Sequence, residues 1–147
     1  DVGLGIAANA LAAIEAYERL APEKPLRALQ LLSFETDLGG LQAGLEAEEG
    51  VFPFLNRHRE KLRVLLEERR WRGERIVWEL KEGRFQEQLD RAPAAELVFF
   101  DLYAPGSDSS GWGCETFQRL RAQAHPERGM TLLTYSATKA VRAALLL

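Results

Sequence analysis

The sequence predicts an α/β fold on a mostly parallel sheet, on the strength of three observations. The chain opens with a glycine-rich turn, Asp1-Val2-Gly3-Leu4-Gly5-Ile6-Ala7-Ala8-Asn9, that leads into a helical pattern. The short run at 26–34 is almost wholly apolar, as a strand buried on both faces should be, 97–100 is the most apolar strand, and 130–135 reads as another buried strand. Helical patterns lie between them, and strand–helix alternation is how parallel sheets are assembled.

Composition sets the broad class. The 147 residues fit one domain with a substantial core, and 46% hydrophobic with 28% charged residues is an ordinary globular balance. A net charge of −3 gives no overall basic field for nucleic acid. One cysteine, Cys114, rules out an internal disulfide and fits a reducing, cytoplasmic setting. His58 and His125 stand far apart, so no metal site is expected. No apolar run reaches the roughly 18 residues of a spanning helix, so no membrane partner is expected either. The chain opens inside a motif and closes inside a helical pattern, and is expected to be a piece of a longer protein.

Taken in order, residues 7–20 form a helix with Leu11, Ile14, Tyr17 and Leu20 on one face, ended by Pro22 and Pro25. The strand at 26–34 follows, with Glu35 just past its end, then a glycine-weakened helix at 37–48. A charged helical insert spans about 51–73, its helix at 56–71 carrying the stripe Leu62, Leu65 and Leu66. Its arginines read either as a solvated face with i,i+4 pairs such as Arg63–Glu67, or as a contact surface for an RNA backbone. Residues 75–82 alternate, with Ile76, Trp78 and Leu80 on one face of a strand, and 85–91 form a short helix. After the strand Leu97–Phe100 comes a turn-rich loop from Tyr103 to Trp112, then a helix at 115–124 with Phe117, Leu120 and Ala124 inward. A buried strand at 130–135 precedes a last helix, N-capped by Ser136.

In this arrangement the Gly3–Gly5 turn, Glu35, the Gly83-Arg84 turn, Asp101 and the Tyr135-Ser136 turn share the rim at the strands' C-terminal ends, where such sheets bind ligands. Gly3, Gly5 and Ala8 fit G-x-G-x-x-G/A, a pattern that a bland pair of turn glycines also produces. NAD and S-adenosylmethionine both suit a glycine turn followed by an acid after the second strand. A pyrophosphate wants bare N–H groups at the helix N-terminus, whereas a sulfonium and an ammonium want carboxylates. Asp1 and Asp101 therefore favour S-adenosylmethionine.

Four blocks carry a family resemblance. They are Asp1 to Leu11; Ser33-Phe34-Glu35 with Asp37-Leu38; Phe99-Phe100-Asp101-Leu102-Tyr103-Ala104-Pro105 with Trp112 and Phe117; and Thr134-Tyr135-Ser136-Ala137 with Val141-Arg142 and Leu145. In this order they resemble the MnmC-like methyltransferases, which modify the wobble uridine of tRNA. The resemblance implies a Rossmann-like class I methyltransferase fold, a mostly parallel sheet with helices on both faces, here lacking parts of both ends. It implies a single partial methyltransferase domain over 1–147 that transfers a methyl group from S-adenosylmethionine to the amine of 5-aminomethyl-2-thiouridine. Asp1, Gly3, Gly5, Asn9, Glu35 and Asp101 would then serve the donor, Glu35 through the ribose hydroxyls. Asp101, Tyr103 and Trp112 would serve the reaction and the incoming base. A flavin-dependent oxidase, fused in some relatives, is not in this stretch of sequence, and the resemblance allows for it as a further domain or as a partner. Arg84 departs from the family's Gly-Asp, and a guanidinium cannot accept from an adenine amino group.

Methyl transfer to an amine rests on positioning and on a group that takes the amine's proton. Asp101 is the candidate for that group, its alternatives being a loop cap or a donor ligand. Trp112 either stacks on an extruded base or anchors its loop. Ser136 lacks a histidine placed by sequence to activate it. Two further functions stay open: methylation of another nucleophile, and a non-catalytic domain that binds through the basic helix.

Overall fold

The computed structural model describes every residue except 49, 103–110, 137 and 147. It resolves into two compact units, one made of Asp1 and Gly3–Gly83, the other of Val2 and Arg84–Leu147.

The first unit runs α1 (Ala8–Leu20), β1 (Leu29–Glu35), α2 (Gly39–Glu46), α3 (Pro53–Asn56), α4 (Arg59–Glu68), β2 (Arg70–Arg72) and β3 (Ile76–Glu82). Its sheet has the order β1-β3-β2. β1 and β3 are parallel from Leu29 opposite Ile76 to Glu35 opposite Glu82, so Glu35 and the turn after β3 leave the sheet at one end. β2 is antiparallel, with Trp71 opposite Trp78. The period-2 reading of β3 holds: Ile76, Trp78 and Leu80 are buried in a core with Leu11 and Ile14 of α1, Leu41 and Leu45 of α2, and Leu55, Leu62 and Leu65.

The insert is therefore not an appended helix, since three of its leucines lie in this core. Nor is it one helix to residue 71. α4 stops where Arg69 takes a left-handed conformation (φ 57), and the chain turns into β2. No glycine marks that stop in the sequence. The Arg69 side chain supports it, donating to the Leu66 carbonyl and pairing with Glu82 at 2.6 Å.

The second unit runs α5 (Phe85–Gln88), a 3₁₀ turn (Leu89–Arg91), β4 (Leu97–Phe100), α6 (Cys114–Ala122), β5 (Thr131–Thr134) and α7 (Lys139–Leu145). β4 and β5 are parallel, with Phe100 opposite Thr134. Val2 extends β4's pairing in the same sense: its N–H donates to Phe99 O, and its carbonyl accepts from Asp101 N, both at 2.8 Å. Phe100 is fully buried amid the rings of Phe85, Trp112 and Phe117, with centroids 5.1–5.6 Å away.

Two expectations are corrected in this unit. β5 is not a buried strand: Leu133 is 49% exposed, because residues alternate between a covered and an open face. The cap of α7 is Thr138 rather than Ser136, since the helix begins only at Lys139, and Thr138 Oγ1 accepts from Val141 N at 3.4 Å. The hydroxyl of an N-cap must reach the second or third helical N–H, which Ser136 is too far back to do.

Candidate functional site

In the first unit Asp1, Gly3, Gly5 and Glu35, assigned to the donor, are joined by hydrogen bonds around the end of β1. Gly3 N and Leu4 N both donate to Phe34 O, at 3.1 and 3.3 Å, which fixes the opening turn to the end of β1. Gly3 (φ 85) and Gly5 (φ 52) both have positive φ, a region that L side chains rarely enter. A Cβ at Gly5 would meet nothing within 4 Å, so glycine is there for its backbone and leaves an open approach to it.

The third small residue of the pattern is corrected by one place. Ala8, matched by spacing, is exposed, whereas Ala7 is fully buried and itself left-handed (φ 65). An L residue there costs about 1–2 kcal/mol. Ala7 N donates to Leu4 O at 2.8 Å and Ala7 O accepts from Leu11 N at 2.9 Å, so one residue closes the turn and starts α1. Close packing of α1 thus rests on Ala7 and Ala10. Asn9 lies in the first turn of α1, partly buried.

Glu35 ties the turn to the strand end. Its Oε2 accepts from Gly5 N at 2.9 Å, while Oε1 accepts from Thr36 N at 2.7 Å and Asp37 N at 3.1 Å. Glu35 O accepts from Gly83 N at 2.8 Å, so the turns after β1 and β3 meet here as the rim argument requires. A carboxylate has about four lone-pair sites, which leaves Oε2 room for a hydroxyl.

Asp1 belongs to the same group but is turned inward. Trp78 Nε1 donates to Ser33 Oγ at 3.0 Å, and Ser33 Oγ donates to Asp1 Oδ2 at 2.8 Å. Oδ1 of Asp1 is buried without a hydrogen-bond partner. A buried acceptor left over is the kind of group that a cationic or N–H-bearing ligand satisfies.

In the second unit Asp101 follows β4 and is exposed. Tyr103 lies outside the described residues. Trp112 is only 6% exposed, edge-to-face with Phe100 (87°) and with Tyr135 (5.9 Å, 83°). This is the anchor arrangement, and a ring so enclosed has little face to offer a base. The more exposed ring is Tyr135, at 56%, whose hydroxyl donates to Leu102 O at 2.6 Å. Partial burial raises the pKa of that hydroxyl above its ordinary value of 10, and the Asp101 carboxylate adds to the rise. In the sequence Tyr135 stands on the rim and in the fourth resemblance block, with no feature that assigns it a role. Arg84 is exposed at the start of α5, in extended backbone.

The basic stretch is largely occupied with the unit's own acids and carbonyls. His58 Nε2 lies 2.8 Å from Glu15 Oε1, Arg57 pairs with Glu15 at 3.7 Å, and Lys61 with Glu18 at 3.3 Å. Lys61 Nζ also lies 4.3 Å above the ring of Trp71. Arg59 donates to Leu45 O and, at 3.2 Å, to Ala47 O, and Arg70 pairs with Glu79 at 3.2 Å. These pairs run between elements, from α4 to α1 and from β2 to β3, rather than along one helix as i,i+4 pairs would. The His58 hydrogen bond, chiefly, and the neighbouring cations hold the Glu15 carboxyl below its ordinary pKa.

Among the described residues no cluster of His, Cys, Asp and Glu could hold a metal ion, and no helix is long and apolar enough to cross a membrane. No protein-family model and no curated protein matches the chain. Among solved structures it is similar to MnmC2 from Aquifex aeolicus, with a TM-score of 0.76 and 21% sequence identity. The likeness covers 99% of this chain and 44% of that one, so the chain spans less than half the length of the solved protein. The chain therefore has the fold of MnmC2, a protein of the MnmC type that its four sequence blocks resemble.

Proposed function

We propose that the chain is an S-adenosylmethionine-dependent methyltransferase domain of the Rossmann-like class I type, acting on the 5-aminomethyl group of a tRNA wobble 2-thiouridine. The observation that carries this reading is the bond from Gly5 N to Glu35 Oε2, which joins the glycine turn to the acid that ends β1, one place earlier than the sequence predicts. A likeness in fold to MnmC2 over nearly the whole chain supports it.

The residues present fit the donor. Gly5 offers backbone with open space beside it, Gly3 shapes the turn through its positive φ, Glu35 keeps acceptor capacity for ribose hydroxyls, and Asp1 holds a buried oxygen with no partner among the described residues. Asn9, in the first turn of α1, completes the donor-side set. When bound, S-adenosylmethionine supplies a methyl group on a sulfonium, activated for in-line transfer. The chain's own part is to orient the acceptor amine and take its proton, and Asp101 is the base. Asp101 is exposed at the end of β4, where an acceptor can reach it. Trp112, enclosed by Phe100 and Tyr135, anchors the backbone that follows residues 103–110. Arg84 is exposed and free to meet a phosphate, but it does not replace an acidic adenine contact.

The reading places the protein with tRNA as its substrate, in the cytoplasm. Methylation of a different nucleophile is favoured by one observation, the Gly83-Arg84 pair, which departs from the family pattern. Calorimetric titration of the full chain with S-adenosylmethionine and with its demethylated product tests donor use. Saturable binding of both is expected. Binding of NAD with neither of these would return NAD as the ligand of the glycine turn.

A further inference from the structure

We propose that Tyr135 is the positioning residue for Asp101, clasping the backbone on both flanks of residues 103–110 through its hydroxyl on Leu102 and its ring on Trp112. The inference rests on the reading of Asp101 as the group that receives the acceptor's proton.

The parallel register sets Phe100 opposite Thr134, so Asp101 and Tyr135 are the next residues to leave the same end of neighbouring strands. The backbone around Asp101 is then held at two points. Asp101 N donates to Val2 O at 2.8 Å, and Leu102 O accepts from the Tyr135 hydroxyl at 2.6 Å. With Asp101 N and the carbonyl of the next residue both tied, the backbone that carries the Asp101 side chain is held on either side. The same Tyr135 meets Trp112 edge-to-face, and Trp112 is seated in turn on Phe100. One side chain therefore joins the residue after the base to the residue that closes the loop.

Core packing does not account for Tyr135. The residue is more than half exposed, and a phenol hydroxyl is a donor at neutral pH. A leucine would serve a merely apolar contact with Trp112, but only a hydroxyl at that reach pins the Leu102 carbonyl. In this arrangement Tyr135 does not touch the reacting atoms. It sets the direction in which the Asp101 carboxylate is presented, which is where a small misplacement costs rate rather than binding.

The test uses the full chain, S-adenosylmethionine, and tRNA bearing 5-aminomethyl-2-thiouridine. Tyr135→Phe keeps the ring and removes the hydrogen bond. It is expected to lower kcat by about fivefold to tenfold, with donor Kd, acceptor KM and Tm little changed. Tyr135→Leu removes the ring contact as well and is expected to lower kcat by about thirtyfold. In an Asp101→Asn background, Tyr135→Phe is expected to add no further loss, since the two residues act as one unit. Amide exchange without substrate gives a second readout: the 101–102 region exchanges faster in Tyr135→Phe than in the wild type.

A wild-type kcat in Tyr135→Phe beside an inactive Asp101→Asn overturns the inference and leaves the reading of Asp101 standing. Full activity in both variants removes Asp101 as the base, and the inference with it. A lower Tm at unchanged kcat, or unchanged exchange at 101–102, assigns Tyr135 to stability alone and overturns the inference.

Discussion

Gly5 donates its backbone N–H to the side chain of Glu35 at 2.9 Å, across 30 residues of sequence. The glycine turn and the acid that ends the first full strand are thus one structure rather than two motifs on one rim. The same carboxylate caps the Thr36–Asp37 turn, so a single side chain sets the shape of both loops.

Glu35→Gln replaces an acceptor-only group by one that must present an NH₂ to a backbone N–H. One of Gly5, Thr36 or Asp37 then faces a donor. The expected cost is about 1–2 kcal/mol of stability by urea unfolding. Under the proposed function, donor affinity by calorimetry is expected to fall at least about tenfold, because the proposed ribose acceptor and the turn are lost together.

Gly5→Ala has room for its Cβ but not the right backbone. At φ 52 an alanine is left-handed, and about 1–2 kcal/mol of destabilisation is expected from that alone. Gly40→Ala, at an α2 position with nothing within 4 Å of the added Cβ and no positive φ, is the control. It is expected to leave stability unchanged or slightly raised in the same unfolding experiment.

Ser33→Ala breaks the relay from Trp78 to Asp1 at its middle. Ser33 is fully buried, and its loss leaves the indole N–H and the Asp1 carboxylate without the partner they share. The expected destabilisation is about 2–4 kcal/mol, the sum of two unpaired buried groups. Chemical unfolding checks it, and a change below about 0.5 kcal/mol would show that the relay contributes nothing.

Glu15 gives the acid side of the stability profile a local handle. Its carboxyl is held below its ordinary pKa of 4.5, first by the His58 hydrogen bond. A group depressed on folding stabilises above its unfolded pKa, and that contribution is lost as pH falls through the folded value. Unfolding midpoints measured from pH 6 downward are expected to drop below about pH 4.5. Glu15→Gln is expected to lose stability at neutral pH and to show a shallower acid slope.

What the sequence made legible was whatever has a short period or a local signal. Ile76, Trp78 and Leu80 alternate, and β3 is where they predict it. Leu11 and Ile14 sit three apart and are buried together in α1. Reversals of the chain without glycine were not legible. Ala7 and Arg69 both take positive φ, so the small residue of the opening pattern was misplaced by one and β2 was read as the end of a helix. Long-range pairing was hidden too. The clasp of Tyr135 on Leu102 spans 33 residues, and the pairs from α4 to Glu15 and Glu18 span 43 or thereabouts. Nothing in a local window distinguishes such arginines, lysines and histidines from a solvated face. Trp112 was left between stacking and anchoring because burial, not spacing, decides between them.

The central claim is methyl transfer with Asp101 as the base, and one measurement addresses it directly. Full-length protein and its Asp101→Asn variant are incubated with methyl-labelled S-adenosylmethionine and tRNA bearing 5-aminomethyl-2-thiouridine, and the nucleosides are separated. The account predicts labelled 5-methylaminomethyl-2-thiouridine from the wild type. From the variant it predicts at least about a hundredfold less, with donor binding retained. No labelled nucleoside from a wild type that binds the donor, or near wild-type transfer by Asp101→Asn, would contradict it.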